Sequence, residues 1–296
     1  MIKFGMDPLR SRVGTQDYYF RVRNRIRRFV ARKSVFNSAD GLSDSQASFY
    51  VEQVRKLLGD EALLSNFRRK YDYREILEHV SFSLGKQYLD LIKHSMPNSY
   101  NQLLLENLRN DSFGNPYRYK YSEKLCISPT TLRYIYTAID IERTIGLGRN
   151  ESVVEIGVGY GGQAAVLESL YRVSNYDAFD LPEVISLANV YLKKINSRIR
   201  FDSRDIHRAQ DKVWDIVISN YAFSELNKDL QIRYLDSILS KTSRGYMIMN
   251  SGRLNVSGRS TSKLSVNEIA EFLPTIRIKE ENPLTGPDNY VIYWGV

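Results

Sequence analysis

Between Val153 and Gly162 the chain reads "VVEIGVGYGG": a carboxylate, Glu155, and then Gly157, Gly159, Gly161 and Gly162 with Tyr160 among them. Clustered glycines let main-chain N–H groups come close to a ligand, and a following helix offers unpaired donors at its N-terminus. The carboxylate narrows the ligand's charge: Glu155 would repel a pyrophosphate and hold an ammonium group. Three later stretches carry groups suited to the same ligand. "FDLPE" sets Asp180 and Leu181 after a second apolar run, "RFDSRDI" sets Asp205 and Ile206, and "DIVISNYAFSEL" sets Ser219, Asn220, Tyr221 and Glu225.

Each of these groups follows a short β-rich run, so strands must position them. The runs predict strands over 152–156, 176–180, 199–202, 214–219, 245–250, 275–281 and 289–295. Helices are expected at 161–173, 183–195, 228–240 and 266–272. Such alternation means βαβ units on a mostly parallel sheet. "NPLTGPD", between the last two runs, is too short for a parallel crossover, so that pair should be antiparallel. Ligands of open α/β sheets sit outside the carboxyl ends of the strands, and all four site stretches end at that edge.

Residues 16–150 read as mostly helical. "SDSQASFYVEQVRKLLG" opens on cap candidates and carries Phe49, Val51, Val54, Leu57 and Leu58 as an apolar stripe. "REILEHVSFSLGKQYLDLIKHSM" continues to Pro97, and "PTTLRYIYTAIDIERTIG" runs to Gly146. Between them, "NDSFGNPYRYKYSEKLCISPT" is broken by Gly114, Pro116 and Pro129 and is expected to be a loop. Two regions follow: a helical one over 1–149 and a nucleotide-binding one over 150–296.

Gly157-x-Gly159-x-x-Gly162 also fits a dinucleotide fingerprint, which leaves a nicotinamide cofactor as an alternative. Glu155 favours S-adenosylmethionine, whose ammonium stands beside a sulfonium. Asp180 is then placed for the ribose hydroxyls, Asp205 for the adenine amino group, and the Tyr160 ring for the methionine portion. In combination, "VVEIGVGYGG", "FDLPE", "RD" and "DIVISN" resemble the class I S-adenosylmethionine-dependent methyltransferases over 150–296. With "NDSFGNP", "ISPTTLRY" and "SNYAFSEL", the chain is similar to a bacterial family of sugar O-methyltransferases. The resemblance implies a Rossmann-like α/β sheet of seven strands, the last antiparallel, with an N-terminal helical extension. Cofactor contacts are expected from Glu155, Gly157, Gly159, Tyr160, Gly161, Gly162, Asp180, Leu181, Asp205, Ile206, Ser219 and Asn220.

A hydroxyl acceptor is a weak nucleophile until a base or a metal activates it. The slot after the fourth strand reads "SNYAF", without the prolines found where base amines are methylated. "MNSGRLN" after the fifth strand has no histidine, so the mechanism of plant-type phenol O-methyltransferases is not carried over. His207 and Glu225 are the catalytic candidates; His79 and His94 fall on N-terminal helices and read as structural. No tight acidic cluster marks a metal site, although a carboxylate-bound divalent cation is compatible with the composition. The loop "NDSFGNPYRYKY" is expected over the carboxyl edge, offering Asn110, Asp111, Asn115 and Tyr117, with Tyr221, to a sugar. Amides and carboxylates suit a polyol's hydroxyls, and aromatic rings suit its C–H faces. A glycan or glycosylated metabolite is therefore the expected acceptor, and a non-sugar secondary metabolite the enzymatic alternative.

Up to Lys33 the chain carries ten basic residues against Asp7 and Asp17, equal to the whole formal excess of +8. "RVRNRIRRFVARK" is either an arm for nucleic acid, an anionic membrane surface or an acidic glycan, or a solvated helix face behind Val22, Ile26, Phe29 and Val30. The first reading leaves an RNA-binding protein as a rival of a different class. A single cysteine, Cys126, excludes an internal disulfide and a cysteine metal cluster. No run approaches the roughly 20 apolar residues of a membrane span, and "MIKFGMDPLRSRVG" lacks an apolar signal core. The cytoplasm is the expected compartment, and self-association is left open.

Overall fold

The computed structural model describes residues 48–296 except 71, 72, 75, 76, 149, 174, 203–205, 210, 211 and 251–262. The basic arm lies outside the described residues. In chain order the helices are α1 (Ser48–Leu58), α2 (Glu61–Ser65), α3 (Phe82–Ser95), α4 (Tyr100–Asn107) and α5 (Pro129–Ile145). They continue with α6 (Gly162–Tyr171), α7 (Pro182–Lys194), α8 (Ala222–Glu225), α9 (Lys228–Ser237) and α10 (Val266–Phe272). A hairpin of β1 (Tyr119–Ser122) and β2 (Leu125–Ile127) precedes the main sheet. That sheet holds β3 (Ser152–Ile156), β4 (Asn175–Phe179), β5 (Ile216–Asn220), β6 (Arg244–Met249), β7 (Arg277–Glu280) and β8 (Tyr290–Trp294).

The sheet order is β4-β3-β5-β6-β8-β7. The first four strands are mutually parallel, and β8 runs antiparallel to both its neighbours. The final hairpin is thus reversed, as its short connection requires. β3 lies between β4 and β5, and its four residues from Val153 to Ile156 are all buried, as in a parallel strand covered on both faces. From β3 the chain steps to β4 on one side, then returns to β5 on the other. The crevice between β3 and β5 is therefore the topological switch point of the sheet.

Among the described residues the main sheet has six strands, not the expected seven. Residues 199–202 do not join it. The side-chain amide of Asn189 on α7 takes both polar groups of Phe201, donating to its carbonyl and accepting from its N–H, each at 2.8 Å. A side chain thus supplies what a neighbouring strand would have. The supposed loop before Pro129 differs in the opposite direction, since it contains the β1–β2 hairpin.

Strand alternation divides the core. Val153, Tyr176, Ala178, Ile216 and Ile218 face one cluster, together with α5, α6, α7 and the N-terminal helices. Val154, Ile156, Phe179, Val217, Met247 and Met249 face another, against α9 and α10. On α1 the buried stripe is Tyr50, Val54 and Leu57 at helical spacing, one residue out of phase with the expected Phe49 and Val51. α5 is buried on nearly every side because it packs between α3, α6 and the sheet. Ser128 caps its first turn through Thr130 N–H, Pro129 opens it, and Gly146 ends it at φ +71°. The described residues fall within one compact unit.

Candidate functional site

The loop from Gly157 to Gly161 joins β3 to α6 at the switch point. Gly157, Gly159 and Gly161 have φ of +80°, +55° and +88°, a region that side-chain-bearing residues rarely enter. At Gly157 close approach adds to this: a Cβ there would lie 2.0 Å from the Ala222 Cβ at the start of α8. The Gly157 N–H is bound to the Phe179 carbonyl at 2.9 Å, which ties the loop to the end of β4. Gly161 then caps α6, and its N–H reaches back to the Val158 carbonyl. The Leu77 side chain lies over Gly159, so the N-terminal region covers the loop.

Asp180 stands directly after β4 and is half-buried. Its two oxygens accept from the N–H of Gly159 at 3.1 Å and of Leu181 at 2.8 Å. Burial pushes its carboxyl up to about 6, opposed by the amides of Leu181, Gly159 and Val158. Asp180 thus meets the glycine loop, while the Leu181 N–H is taken up by Asp180 itself.

Glu155 is placed otherwise. It shares the sheet face of Val153, not the open edge, and is 1% exposed. Its Oε2 accepts from the Tyr176 hydroxyl at 2.8 Å. Burial pushes its carboxyl up to about 8; the Tyr176 hydrogen bond opposes this and the charge of Asp180 adds to it. At pH 7 it is mostly a neutral acid under the sheet face, so it does not present the anionic edge expected for an ammonium group.

Tyr160 also turns away from its expected place. Its ring is 1% exposed, among Phe67, Tyr134 and Tyr191, so it lines no open cleft. Its hydroxyl donates to Glu78 Oε1 at 2.9 Å. Arg68, wholly buried, donates to the same oxygen and to the Asn110 carbonyl, each at 2.5 Å. Neither Arg68 nor Glu78 carries a local sequence signal of a site; tertiary packing alone brings them to the loop.

The expected acceptor loop divides between interior and surface. Asp111 is buried, accepting from Ser128 N–H at 2.6 Å and Thr131 Oγ1 at 2.7 Å, with Arg68 beside it. Asn110 is buried and donates to the Gly162 carbonyl at 3.1 Å. Both side chains are therefore engaged in holding α5 and α6, not presented to an acceptor. Asn115 is exposed and donates to Asn66 Oδ1 at 2.7 Å, and Tyr117 is exposed with the Arg69 guanidinium 4.5 Å above its ring. The four do not converge.

At the end of β5, Ser219 is buried, donating to the Ile156 carbonyl and accepting from Phe223 N–H. Tyr221 takes a left-handed conformation, φ +70°, and its hydroxyl bonds to Glu281 and Thr285. Glu225 ends α8, half-buried, with Oε1 accepting from Asn250 Nδ2 at 3.0 Å. Ile206 and His207 lie in a short 3₁₀ turn, Ile206–Ala209, where Ile206 packs on the second core. Asp205 and the His207 side chain lie outside the described residues. Asp215, at the far end of β5, accepts from both Ser152 N–H and Oγ, a purely structural tie.

Among the described residues, no group of three or more His, Cys, Asp or Glu could hold a metal ion. No described helix is long and apolar enough to cross a membrane.

No family model and no curated protein matches the chain. Solved structures similar to it include S-adenosylmethionine-dependent methyltransferases from two bacteria. The one from Aquifex aeolicus is 16% identical with a TM-score of 0.40, over 53% of this chain and 88% of that protein. The one from Clostridium acetobutylicum is 11% identical with a TM-score of 0.42, over 55% of this chain and 92% of its own length. TehB from Haemophilus influenzae is 17% identical with a TM-score of 0.40, over 53% and 60% of the two chains.

The raised carboxyl of Glu155 has a measurable consequence. Below its ordinary value of 4.5 both folded and unfolded chains hold the proton; between 4.5 and about 8 only the folded chain does. The stability this group contributes is thus present below 4.5 and lost as pH rises through about 8. At ~1.4 kcal/mol per pKa unit as an upper limit, relaxation leaves a loss on the order of 2–4 kcal/mol. Glu155→Gln should remove that slope. Chemical denaturation of both proteins across this range checks it, and parallel pH profiles would disprove the shift.

Proposed function

We propose that the chain transfers a methyl group from S-adenosylmethionine to a hydroxyl of a sugar, on a glycan or a glycosylated metabolite. The observation that carries this reading is the glycine loop at the switch point, with Asp180 hydrogen-bonded to it from the end of the neighbouring parallel strand. Asp180 fits the ribose of such a ligand, and the glycines leave room for its close approach; Glu155, neutral and turned to Tyr176, does not fit its ammonium group. The cofactor supplies a methyl group on a sulfonium, ready for displacement. Gly157, Gly159 and Gly161, whose own N–H groups are bound to Phe179, Asp180 and Val158, would leave the loop surface clear of side chains for the ligand, and Asp180 would take the ribose hydroxyls. Ser219 braces the end of β5 against β3, which keeps both reactants in register. Glu225 or His207 receives the acceptor's proton.

The sugar is supported by the resemblance of "NDSFGNP", "ISPTTLRY" and "SNYAFSEL"; Tyr221 is the one acceptor candidate standing at the strand edge. The test is purified protein with methyl-labelled S-adenosylmethionine and cell glycan fractions, alongside Asp180→Ala. Label should enter glycan, and Asp180→Ala should weaken S-adenosylhomocysteine binding about tenfold or more, the worth of a charged hydrogen bond. Tight NADH binding, or unchanged affinity in the variant with the fold intact, would sink the proposal.

A further inference from the structure

The first turns of α5 carry a cation that the fold leaves unanswered. Arg133 is 7% exposed, yet its guanidinium makes no hydrogen bond or ion pair among the described residues. Its one close neighbour of note is the Tyr134 ring, 5.2 Å from the guanidinium carbon. The other titratable groups around it are the phenol hydroxyls of Tyr221, Tyr88 and Tyr160, which carry no charge at neutral pH. A guanidinium stays charged in any protein environment, and a buried charge without an anion is strongly disfavoured. Every other buried arginine side chain described, Arg68, has two carboxylates.

A second orphan stands close by in the hydrogen-bond network. Gln163, on α6, donates through Nε2 to the Tyr134 carbonyl at 3.1 Å, which turns its Oε1 towards Asn220 Nδ2 at 3.5 Å. That contact fixes which way the Asn220 amide points. Its Oδ1 is then buried with no donor. One residue on, Tyr221 is among the groups within electrostatic reach of Arg133. Gln163 thus links the start of α5, which carries the Arg133 fork of donors, to the end of β5, where Asn220 carries a buried acceptor awaiting a donor. A planar guanidinium matches a carboxylate in bidentate geometry, and a carbonyl oxygen matches an ammonium group.

We propose that Arg133 and Asn220 form a subsite for the zwitterionic head of an α-amino acid, Arg133 taking the carboxylate and Asn220 Oδ1 the ammonium. This rests on the proposed cofactor, whose methionine end carries such a head, and moves the ammonium contact from Glu155 to Asn220. The same chemistry could come from an amino-acid group on the acceptor, and the arms below separate the two.

The experiment is calorimetry with S-adenosylhomocysteine, 5′-methylthioadenosine, which lacks the head, and free methionine, on wild type, Arg133→Gln and Arg133→Lys. The expected result is S-adenosylhomocysteine binding weakened by about ten- to a hundredfold in Arg133→Gln, less in Arg133→Lys. Methylthioadenosine affinity, the control for folding, should stay the same in all three. Unchanged S-adenosylhomocysteine affinity in both variants overturns the cofactor source, and if methionine binding is also unchanged or absent, the subsite itself. Equal weakening of both nucleosides overturns it too, since Arg133 is then only structural. If wild type binds neither nucleoside but binds methionine through Arg133, the subsite stands on the acceptor side and the cofactor assignment fails. Binding of none of the three overturns both.

Discussion

Glu78→Ala should destabilise the protein by about 3–5 kcal/mol, because it strips the main counter-charge from a wholly buried arginine. Glu78 is 5% exposed and Arg68 0%, joined at 2.5 Å. After the change, Arg68 keeps only the Asn110 carbonyl and Asp111 Oδ1, the latter 3.4 Å away. The Tyr160 hydroxyl loses its acceptor at the same time. For a unit of this size, each kcal/mol lowers Tm by about 2–4 °C, so a fall of roughly 6–20 °C is expected in a thermal melt. The double variant Arg68→Met with Glu78→Leu should recover most of the loss, since apolar groups of like volume replace a buried ion pair at little net change. A shift below ~1 kcal/mol in Glu78→Ala would show that water reaches Arg68 and the network does not anchor the loop.

Much of the sheet was legible because its strands are short, apolar and separated by helices, so periodicity and length decide between them. β3, β4, β7 and β8 fall within two residues of their expected limits. The reversed final hairpin followed from loop length alone. The failures have local causes. "RIRFD" has the composition of a strand, but Asn189, twelve residues earlier in sequence, takes the main-chain groups of Phe201. No pattern of propensity shows that. The β1–β2 hairpin was hidden by Gly114, Pro116 and Pro129, which mark turns on either side of it and not a structureless loop.

The site was legible in position more than in orientation. Glycines, Asp180 and the end of β5 converge at the switch point because they sit at strand ends, which the sequence pattern locates well. The direction of Glu155 is a matter of strand parity: it stands two residues from Val153, so it shares that buried face, and Tyr176 is paired with Val153 on the next strand. Counting along "SVVEI" would have placed it there. Arg68, Glu78 and Arg133 could not be found this way. In sequence they are ordinary helical charges, and only the packing of α5 and the N-terminal region against the loop buries them. Asn110 and Asp111 illustrate the converse: their polarity suggested a ligand, while the partners they satisfy are helix ends and a buried arginine.

Glu225→Gln should lower methyl transfer by about 10²–10⁴-fold, the usual loss when a general base is removed. Glu225 is the first carboxylate after the end of β5, on the short helix that Tyr221 initiates. Asn250 Nδ2 holds its Oε1 at 3.0 Å, while Oε2 takes no hydrogen bond among the described residues. Its neighbour Ser224 is fixed in turn, accepting from Asn250 N–H at 3.0 Å and from Lys263 Nζ, through its carbonyl, at 2.8 Å. One oxygen is thus anchored and the other is free to take a proton. Glutamine keeps the anchored oxygen and loses only the basic one, so S-adenosylhomocysteine affinity should change by less than about twofold, well under the worth of one hydrogen bond. Single-turnover transfer of labelled methyl separates the two quantities. His207→Ala, measured in parallel, gives the alternative. Loss of turnover there with Glu225→Gln unaffected moves the base to His207, and abolition by EDTA with neither variant impaired moves the activation to a metal ion.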